Sequence, residues 1–261
     1  MITLWLEGWA LVILLFVALW LVELRKGDAS LVDAGWAASV GFLAVFFAAR
    51  GPGLFDRRLL MGFVVALWAS RLAAYIVLRH HRSGEDGRYQ EIRVRWGERA
   101  HRFFFFFYQA QGLLAALLSL PFLLIAFDER PAIGALEIAG YTLSLAALLF
   151  ESLADRQLAR HRRDPAMRGK TCRTGLWRYS RHPNYFFEWL IWVGYAIAAL
   201  RAPYGVAALA SPLLMLYLVL RVTGIPPTEE RALRRRGDEY RRYQRTTSVF
   251  VPWFPREEAS P

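Results

Sequence analysis

The sequence predicts an all-α membrane protein with about seven transmembrane helices, an external N-terminus and a cytoplasmic C-terminus. Two observations predict this fold class. First, apolar residues make up 56% of the 261-residue chain, and they collect in long blocks between charged segments. The hydrocarbon core of a bilayer is about 30 Å thick and takes roughly 20 apolar residues per helix, which is close to the length of each block. Second, basic residues are distributed unevenly between alternate connecting segments.

The apolar blocks give the predicted spans in chain order. They lie at 4–24, 31–49, 59–78, 103–127, 132–153, 183–200 and 203–222. The first is expected to be a retained helix rather than a signal peptide, because no Lys or Arg precedes it and no small-residue cleavage site follows. Pro121 is expected to kink the fourth helix. The polar stretches are too short for cores of their own, so residues 1–261 are expected to form one membrane domain with a cytoplasmic tail at 223–261.

The orientation follows from the arginines. Segments 79–102, 154–182 and 223–261 are rich in them, whereas 128–131 and 201–202 each carry one. Such an excess marks the cytoplasmic side, and the loop 50–58, with three arginines, is the exception. The net charge of +11 suits contact with anionic membrane lipid in a multi-pass protein, expected in a bacterial inner (plasma) membrane. No nucleic-acid-binding motif is present, so nucleic acid is not an expected partner.

Several charged residues lie inside the apolar blocks, namely Asp33, Arg71, Glu151, Glu188 and Arg221. Charges at such depth are costly and usually face a bundle interior or a water-filled cavity. An ion pair between Asp33 and Arg71 is the structural explanation for two of them. For Glu188 a functional role is favoured because of the residues that precede it.

The segment 174–188 reads Thr-Gly-Leu-Trp-Arg-Tyr-Ser-Arg-His-Pro-Asn-Tyr-Phe-Phe-Glu. Gly175 permits a tight turn, and Pro183 suits the first turn of a helix because its missing N–H costs nothing there. Exposed N–H groups, the helix dipole and cations at such an end favour a phosphate or a carboxylate. The side chains that line this helix start are Arg178, Arg181, His182, Asn184, Tyr185 and Glu188. The segment therefore predicts a site for a nucleotide cofactor.

Other polar segments carry weaker signals. Residues 83–97 match neither a phosphate-binding loop nor a calcium loop, and taken alone they are expected to form a solvated loop. His80 and His81 are adjacent and have no cysteine partners, so no metal site is predicted. Cys172 is expected to be an ordinary thiol. In the tail, Thr228 is expected to cap a helix, and the apolar residues 249–254 are expected to pack at the membrane interface.

Three segments together resemble the DUF1295 group of the steroid 5-alpha-reductase-like membrane proteins. They are Gly-Glu-Asp-Gly-Arg-Tyr at 84–89, Gly-Leu-Trp-Arg-Tyr-Ser-Arg-His-Pro-Asn-Tyr at 175–185 with Glu188, and Phe-Val-Pro-Trp-Phe at 250–254. The resemblance covers nearly the whole chain, from 33 to 255. It implies a helical membrane fold with a cofactor pocket on the cytoplasmic side.

Resemblance to the reductases implies an NADPH site and hydride transfer to the β carbon of an enone in a sterol-like or isoprenoid lipid. The nicotinamide would reach Asp33 and Arg71, and a protein acid would polarise the carbonyl as negative charge builds on its oxygen. The apolar bundle suits such a lipophilic substrate. The residues that match the cofactor-binding positions are Asp155, Arg162, Lys170, Arg178, Asn184, Glu188 and Arg221.

Two alternatives remain open. The isoprenylcysteine and phospholipid methyltransferases share the Arg-His-Pro-x-Tyr pattern and a tail with paired acids, which Glu229, Glu230 and the Gly-Asp-Glu-Tyr ending at Tyr240 resemble. In that case S-adenosylmethionine replaces NADPH, and the acids hold its ammonium group. The second alternative is a non-catalytic protein that binds lipid.

Overall fold

The computed structural model describes residues 1–257, and the side chains of all of these except Arg82 and Ser83. The chain is 80% helical, and no strand occurs in residues 1–257, so the predicted all-α fold is confirmed. The α-helices of this range are α1 Ile2–Lys26, α2 Leu31–Arg50, α3 Phe55–Ser83, α4 Gly87–Trp96, α5 Ala100–Leu118, α6 Leu120–Ala126, α7 Ala135–Arg163, α8 Pro183–Ala199, α9 Ala210–Tyr217, α10 Ile225–Arg236 and α11 Asp238–Thr246.

The helices make this an integral membrane protein. In the described range, five are long and apolar enough to cross a bilayer: Ile2–Lys26, Leu31–Arg50, Phe55–His81, Ala135–Arg163 and Gly205–Arg236. The stretch Gly87–Leu118, which includes α4 and α5, meets α6 at a bend of 41°, and the two make a sixth span if they count as one. Pro121 stands in the first turn of α6, so the break lies where the sequence predicted a kink. The sixth predicted span, α8, has 17 residues and falls outside this set, so the count of seven stays a prediction.

The chain divides into two compact units. Unit 1 comprises 1–137 and 198–211, and unit 2 comprises 138–197 and 212–261. Helices in unit 1 approach closely at small residues. A Cβ at Gly41 of α2 would lie 2.6 Å from the Cβ of Ala69 on α3, and a Cβ at Gly8 of α1 would lie 2.8 Å from the side chain of Leu43 on α2. Small residues at helix contacts are typical of membrane bundles, where packing rather than hydrophobic burial drives association.

The buried side chain of Arg57 joins the loops at one end of unit 1. Arg57 is fully buried and donates hydrogen bonds of 2.8 Å to the carbonyl oxygens of Asp128 and Arg130. Its guanidinium also pairs with Glu137, and the carboxylate of Asp128 lies 3.5 Å away. Arg57, one of the three arginines in the loop 50–58, is therefore paired within the fold.

Unit 2 holds the predicted cofactor-binding residues on α7, α8, the turns before α8, and the tail helices. Two of its helices touch at Gly194 of α8, where a Cβ would lie 2.3 Å from Oγ of Ser144 on α7. Ser144 also donates to the carbonyl of Ile191 on α8, at 3.0 Å. This close packing fixes the two helices from which Asp155 and Asn184 project.

Candidate functional site

A turn on the C-terminal half of α7 begins the site. Gly175 has φ +61°, and a Cβ there would lie 2.5 Å from the side chain of Gln157 on α7, so the tight turn predicted at this glycine is confirmed. Gln157 Oε1 accepts from the backbone N–H of Leu176 at 2.9 Å, and the indole N–H of Trp177 donates to the carbonyl of Ala154 at 2.9 Å. The motif is thus held against α7 before α8 begins at Pro183, the predicted position.

The C-terminal tail packs on the same motif. Ser180 Oγ donates to the carbonyl of Phe250 at 2.7 Å, and the backbone N–H of Trp253 donates to the carbonyl of Tyr179 at 2.9 Å. The ring of Phe250 packs edge-on against Phe186 of α8, 5.5 Å between centroids. Two of the three segments that carried the family resemblance therefore form one surface of unit 2.

Glu229 on α10 is the centre of a polar cluster that includes four of the predicted cofactor-binding residues. Its carboxylate accepts from Arg181 Nε at 2.6 Å, from Gln244 Nε2 at 2.9 Å and from the hydroxyl of Tyr240 at 3.3 Å. His182 Nε2 lies 3.3 Å from the same carboxylate. These contacts use most of the acceptor positions of a carboxylate. We call these five residues the Glu229 cluster; within the chain they hold the tail helices to the start of α8.

His182 is buried within this cluster. Its ring stacks on Tyr185 with 5.4 Å between centroids, and the hydroxyl of Tyr185 lies 3.3 Å from Oγ1 of Thr228. Burial lowers the pKa of His182, although the hydrogen bond with Glu229 opposes that shift. Burial therefore disfavours the charged form of the imidazole.

A second group of predicted residues lies on α7 and α8. The amide of Asn184 donates to Oδ1 of Asp155 at 3.2 Å, so these two residues are brought together as one hydrogen-bonding pair. Asp155 is buried, whereas Asn184 is half-buried. One turn further along α8, Glu188 accepts from the indole N–H of Trp192 at 2.9 Å.

The remaining cations of the predicted set are exposed. Arg162, Lys170, Arg178 and Arg221 all expose their side chains, and none forms an ion pair with another residue of the described range 1–257. The carbonyl of Lys170 lies 3.0 Å from His161 Nε2, which ties its segment to the end of α7 that carries Arg162. Arg178 follows directly after the turn that packs on α7. Arg162, Lys170 and Arg178 thus lie on α7 or in segments that contact its C-terminal half.

The prediction of a solvated loop at 83–97 is wrong. Residues Gly87–Trp96 form α4, and Tyr89 is buried with 2% of its surface exposed. Arg88 and Tyr89 both donate to the carboxylate of Asp33 at 2.7 Å. Asp33 therefore has its partners on α4 instead of the Arg71 considered from the sequence, and Arg71 lies half-buried on α3.

The cap predicted at Thr228 is also wrong. Helix α10 begins at Ile225, with Gly224 before it and prolines in its first turn. Thr228 is already one turn inside the helix, and its hydroxyl donates back to the carbonyl of Gly224 at 2.8 Å. Two consecutive prolines supply the fixed φ that starts the helix, so no side-chain cap is needed.

Cys172 lies beside this surface without being activated. Burial raises the pKa of its thiol, and this outweighs the lowering by hydrogen bonds with Thr174 and by nearby Arg162. A thiol that stays protonated is a poor nucleophile, in keeping with the ordinary thiol that the sequence predicts.

Sequence reasoning missed Gln157 and Gln244, which position the motif and the Glu229 carboxylate. The sequence did carry a signal for Gln244. Tyr243 and Gln244 follow Tyr240 by three and four positions, so each lies beside Tyr240 on α11. Tyr243 uses that face to donate to the carbonyl of Trp177. No comparable periodicity marks Gln157, since its contact is with a turn.

Comparison with known proteins places the chain in a family. A family model described as a protein of unknown function (DUF1295) matches residues 19–247. The chain is also similar to Uncharacterized protein C594.04c of Schizosaccharomyces pombe (strain 972), at 29% identity over 271 aligned positions that cover 90% of this chain and 75% of that protein. No solved structure matches the chain. Because the family model extends over most of the chain, including the turn at Gly175, the start of α8 and the Glu229 cluster, the chain belongs to the DUF1295 family.

Proposed function

We propose that the chain is a membrane-embedded, NADPH-dependent reductase that transfers hydride to an enone-type double bond of a sterol-like or isoprenoid lipid. The observation that carries this proposal is the surface around the C-terminal half of α7. There, Arg162, Lys170 and Arg178 are exposed and free of ion pairs within residues 1–257. Asp155 on α7 and Asn184 on α8 form a hydrogen-bonded pair in the same unit.

This donor set fits a phosphate-rich cofactor. NADPH carries a pyrophosphate and a ribose phosphate, and guanidinium groups bind phosphate through charge-assisted hydrogen bonds. Arg162, Lys170 and Arg178 would neutralise those phosphates, and Asn184, held by Asp155, would offer an amide to an uncharged part of the nucleotide. Bound NADPH would supply the hydride for the β carbon of the enone. Arg221 and Glu188 are retained as further cofactor contacts.

The methyl-donor alternative receives less support. S-adenosylmethionine carries a sulfonium, an ammonium and one carboxylate but no phosphate, so its two cationic groups need acids and only its carboxylate suits an exposed cation. Glu229 already accepts from Arg181, Gln244 and Tyr240, and Glu230 is exposed and paired with Arg234. A carboxylate that is neutralised inside the fold has little charge left for the ammonium of a ligand.

Asp33 and Arg71 remain the residues proposed to act near the reacting carbonyl. The contacts of Asp33 refine its role, since its two oxygens accept from Arg88 and Tyr89. A carboxylate whose two oxygens both accept hydrogen bonds is held in a fixed orientation by its donors. In this proposal Asp33 orients the polar groups of α4, and proton donation is left to another group.

The test measures nucleotide binding to the detergent-solubilised, full-length protein, and the fluorescence of NADPH reports the binding. We expect Arg178→Gln to weaken NADPH binding by roughly tenfold, the size of one charge-assisted contact to phosphate. Arg242→Gln is the matched control, since Arg242 is an exposed cation of unit 2 outside the predicted set. NADH, which lacks the ribose phosphate, should bind more weakly than NADPH. Binding of S-adenosylmethionine with no response to NADPH would contradict the proposal.

A further inference from the structure

An apolar groove with a basic end runs along one face of α5 in unit 1, and none of the residues proposed above as catalytic or cofactor-binding lines it. Its aromatic wall is continuous: Trp96 stacks on Phe103 with 4.9 Å between ring centroids, and Phe103 stacks on Phe107 with 6.2 Å. Phe106 is 71% exposed and Trp96 is 44% exposed. The groove is lined by Trp96, Arg99, Arg102, Phe103, Phe106 and Phe107, and it ends at Ala110.

The charges of the groove lie at one end only. Arg99 immediately precedes α5 and Arg102 stands in its first turn, and both are exposed. Neither forms an ion pair or a side-chain hydrogen bond within the described residues 1–257. Glu98 is adjacent in sequence but does not line the groove. Two cations at the N-terminal end of a helix favour an anion.

The length of the groove matches one leaflet of a bilayer. Its lining repeats every three to four residues, so it forms a stripe along one face of the helix. From Arg99 to Ala110 the stripe extends about 16 Å at the helical rise of about 1.5 Å per residue. Half of a hydrocarbon core of about 30 Å is about 15 Å. A ligand whose charge lies at Arg99 and Arg102 would therefore place its apolar part along the depth of one leaflet.

We propose that this groove binds an anionic phospholipid, whose phosphate lies between Arg99 and Arg102 and whose acyl chain lies along Phe103, Phe106 and Phe107. Exposed aromatic rings on a membrane helix face lipid chains, and guanidinium groups at its end face headgroups. The site is independent of the proposed reductase activity, because it shares no residue with the cofactor surface. Specificity for an anionic phospholipid requires both the two arginines and the aromatic rings, since a basic segment alone attracts any anionic surface.

The experiment titrates dioleoyl phosphatidylglycerol or dioleoyl phosphatidylcholine into delipidated, full-length protein in detergent, and native mass spectrometry measures bound lipid per chain. For the variant with Arg99→Gln and Arg102→Gln, we expect phosphatidylglycerol binding to fall about tenfold, in line with the loss of two cations beside an anionic headgroup. Phosphatidylcholine binding should change little. Phe106→Ala should weaken both lipids, because it removes contact with the chain.

Arg95→Gln is the matched control, since Arg95 is an exposed cation on α4 that does not line the groove. An equal loss in Arg95→Gln and in the double variant would overturn the proposal, because the attraction would then be general. Displacement of the lipid by excess inorganic phosphate, with no effect of Phe106→Ala, would also overturn it and indicate a phosphate site. A dimer that binds no lipid at the groove and dissociates in the double variant would assign the groove to a second copy of the chain.

Discussion

At the residue scale, Glu229 joins parts of unit 2 that are far apart in the sequence. It lies on α10, accepts from Arg181 before α8, and accepts from Gln244 on α11. The side chains of Arg181 and Glu229 are 10% and 15% exposed, so removal of one charge leaves the other poorly solvated. The neighbouring Glu230, by contrast, is 63% exposed and pairs with Arg234 along its own helix. Two adjacent acids thus have different roles, and only one of them organises the tail.

Glu229→Gln should destabilise the protein, whereas Glu230→Gln should not. The first change leaves Arg181 without its counter-ion in a mostly buried position, and we expect a loss of about 2 kcal/mol in the free energy of unfolding. The second removes an exposed pair of the kind that contributes little. Thermal unfolding in detergent, followed by tryptophan fluorescence, measures both. Equal melting midpoints for the two variants would show that the cluster does not hold the tail.

At the element scale, α4 shows how a polar segment becomes an ordered helix. Asp86 caps it, since its carboxylate accepts from the backbone N–H of Arg88 at 3.0 Å. Burial opposes ionisation of Asp86, but hydrogen bonds and charge from Arg88 outweigh it and lower the pKa of Asp86 to about 2. Arg93 then pairs with Glu23 of α1, whose side chain is fully buried. These contacts hold both ends of α4 against the rest of unit 1.

Asp86→Ala should loosen α4 locally. Loss of an N-cap costs about 1 kcal/mol, so amide hydrogen exchange over 87–90 should accelerate about fivefold. Asp86→Asn is the matched control, because Asn caps helices nearly as well while lacking the charge. Mass spectrometry of the exchanged peptides reports the difference. If Asp86→Asn accelerates exchange as much as Asp86→Ala, the ion pair between Asp86 and Arg88, rather than the cap, stabilises the start of the helix.

At the scale of the whole molecule, the distribution of charge predicts the orientation of the chain in the membrane. Arginines gather in segments expected on the cytoplasmic side, and of the three arginines in the exception at 50–58, Arg57 is paired with Glu137 inside the fold. The orientation predicted from the sequence is therefore retained as a prediction.

That orientation is open to a labelling test in a Cys172→Ala background. Arg95→Cys and Glu129→Cys each place a thiol at an exposed position, in segments expected on opposite sides of the membrane. An impermeant maleimide should label position 129 in intact cells and position 95 only in inverted vesicles. Labelling of both positions from one side would reverse the assignment of one of these loops.

Much of the helical framework was predictable, because apolar blocks of bilayer length and a proline in the fourth block are local signals. The turn at Gly175 and the start of α8 at Pro183 were predictable for the same reason, since backbone conformation depends mainly on the residue itself. Errors arose where partners distant in sequence decide the outcome. The segment 83–97 was expected to be a loop because the burial of Tyr89 and the pairing of Arg88 with Asp33 depend on tertiary contacts.

The sequence by itself determined the membrane class, the family, most helix positions and the set of polar residues near α8, since all of these follow from composition, periodicity and motif order. Only the tertiary structure divided that polar set. Arg181, His182, Tyr240 and Glu229 satisfy one another within the fold, whereas Arg162, Lys170 and Arg178 stay exposed. The physical reason is that a charged side chain looks the same in a sequence whether it is paired or free. Its availability to a ligand is decided by the partners that folding brings to it.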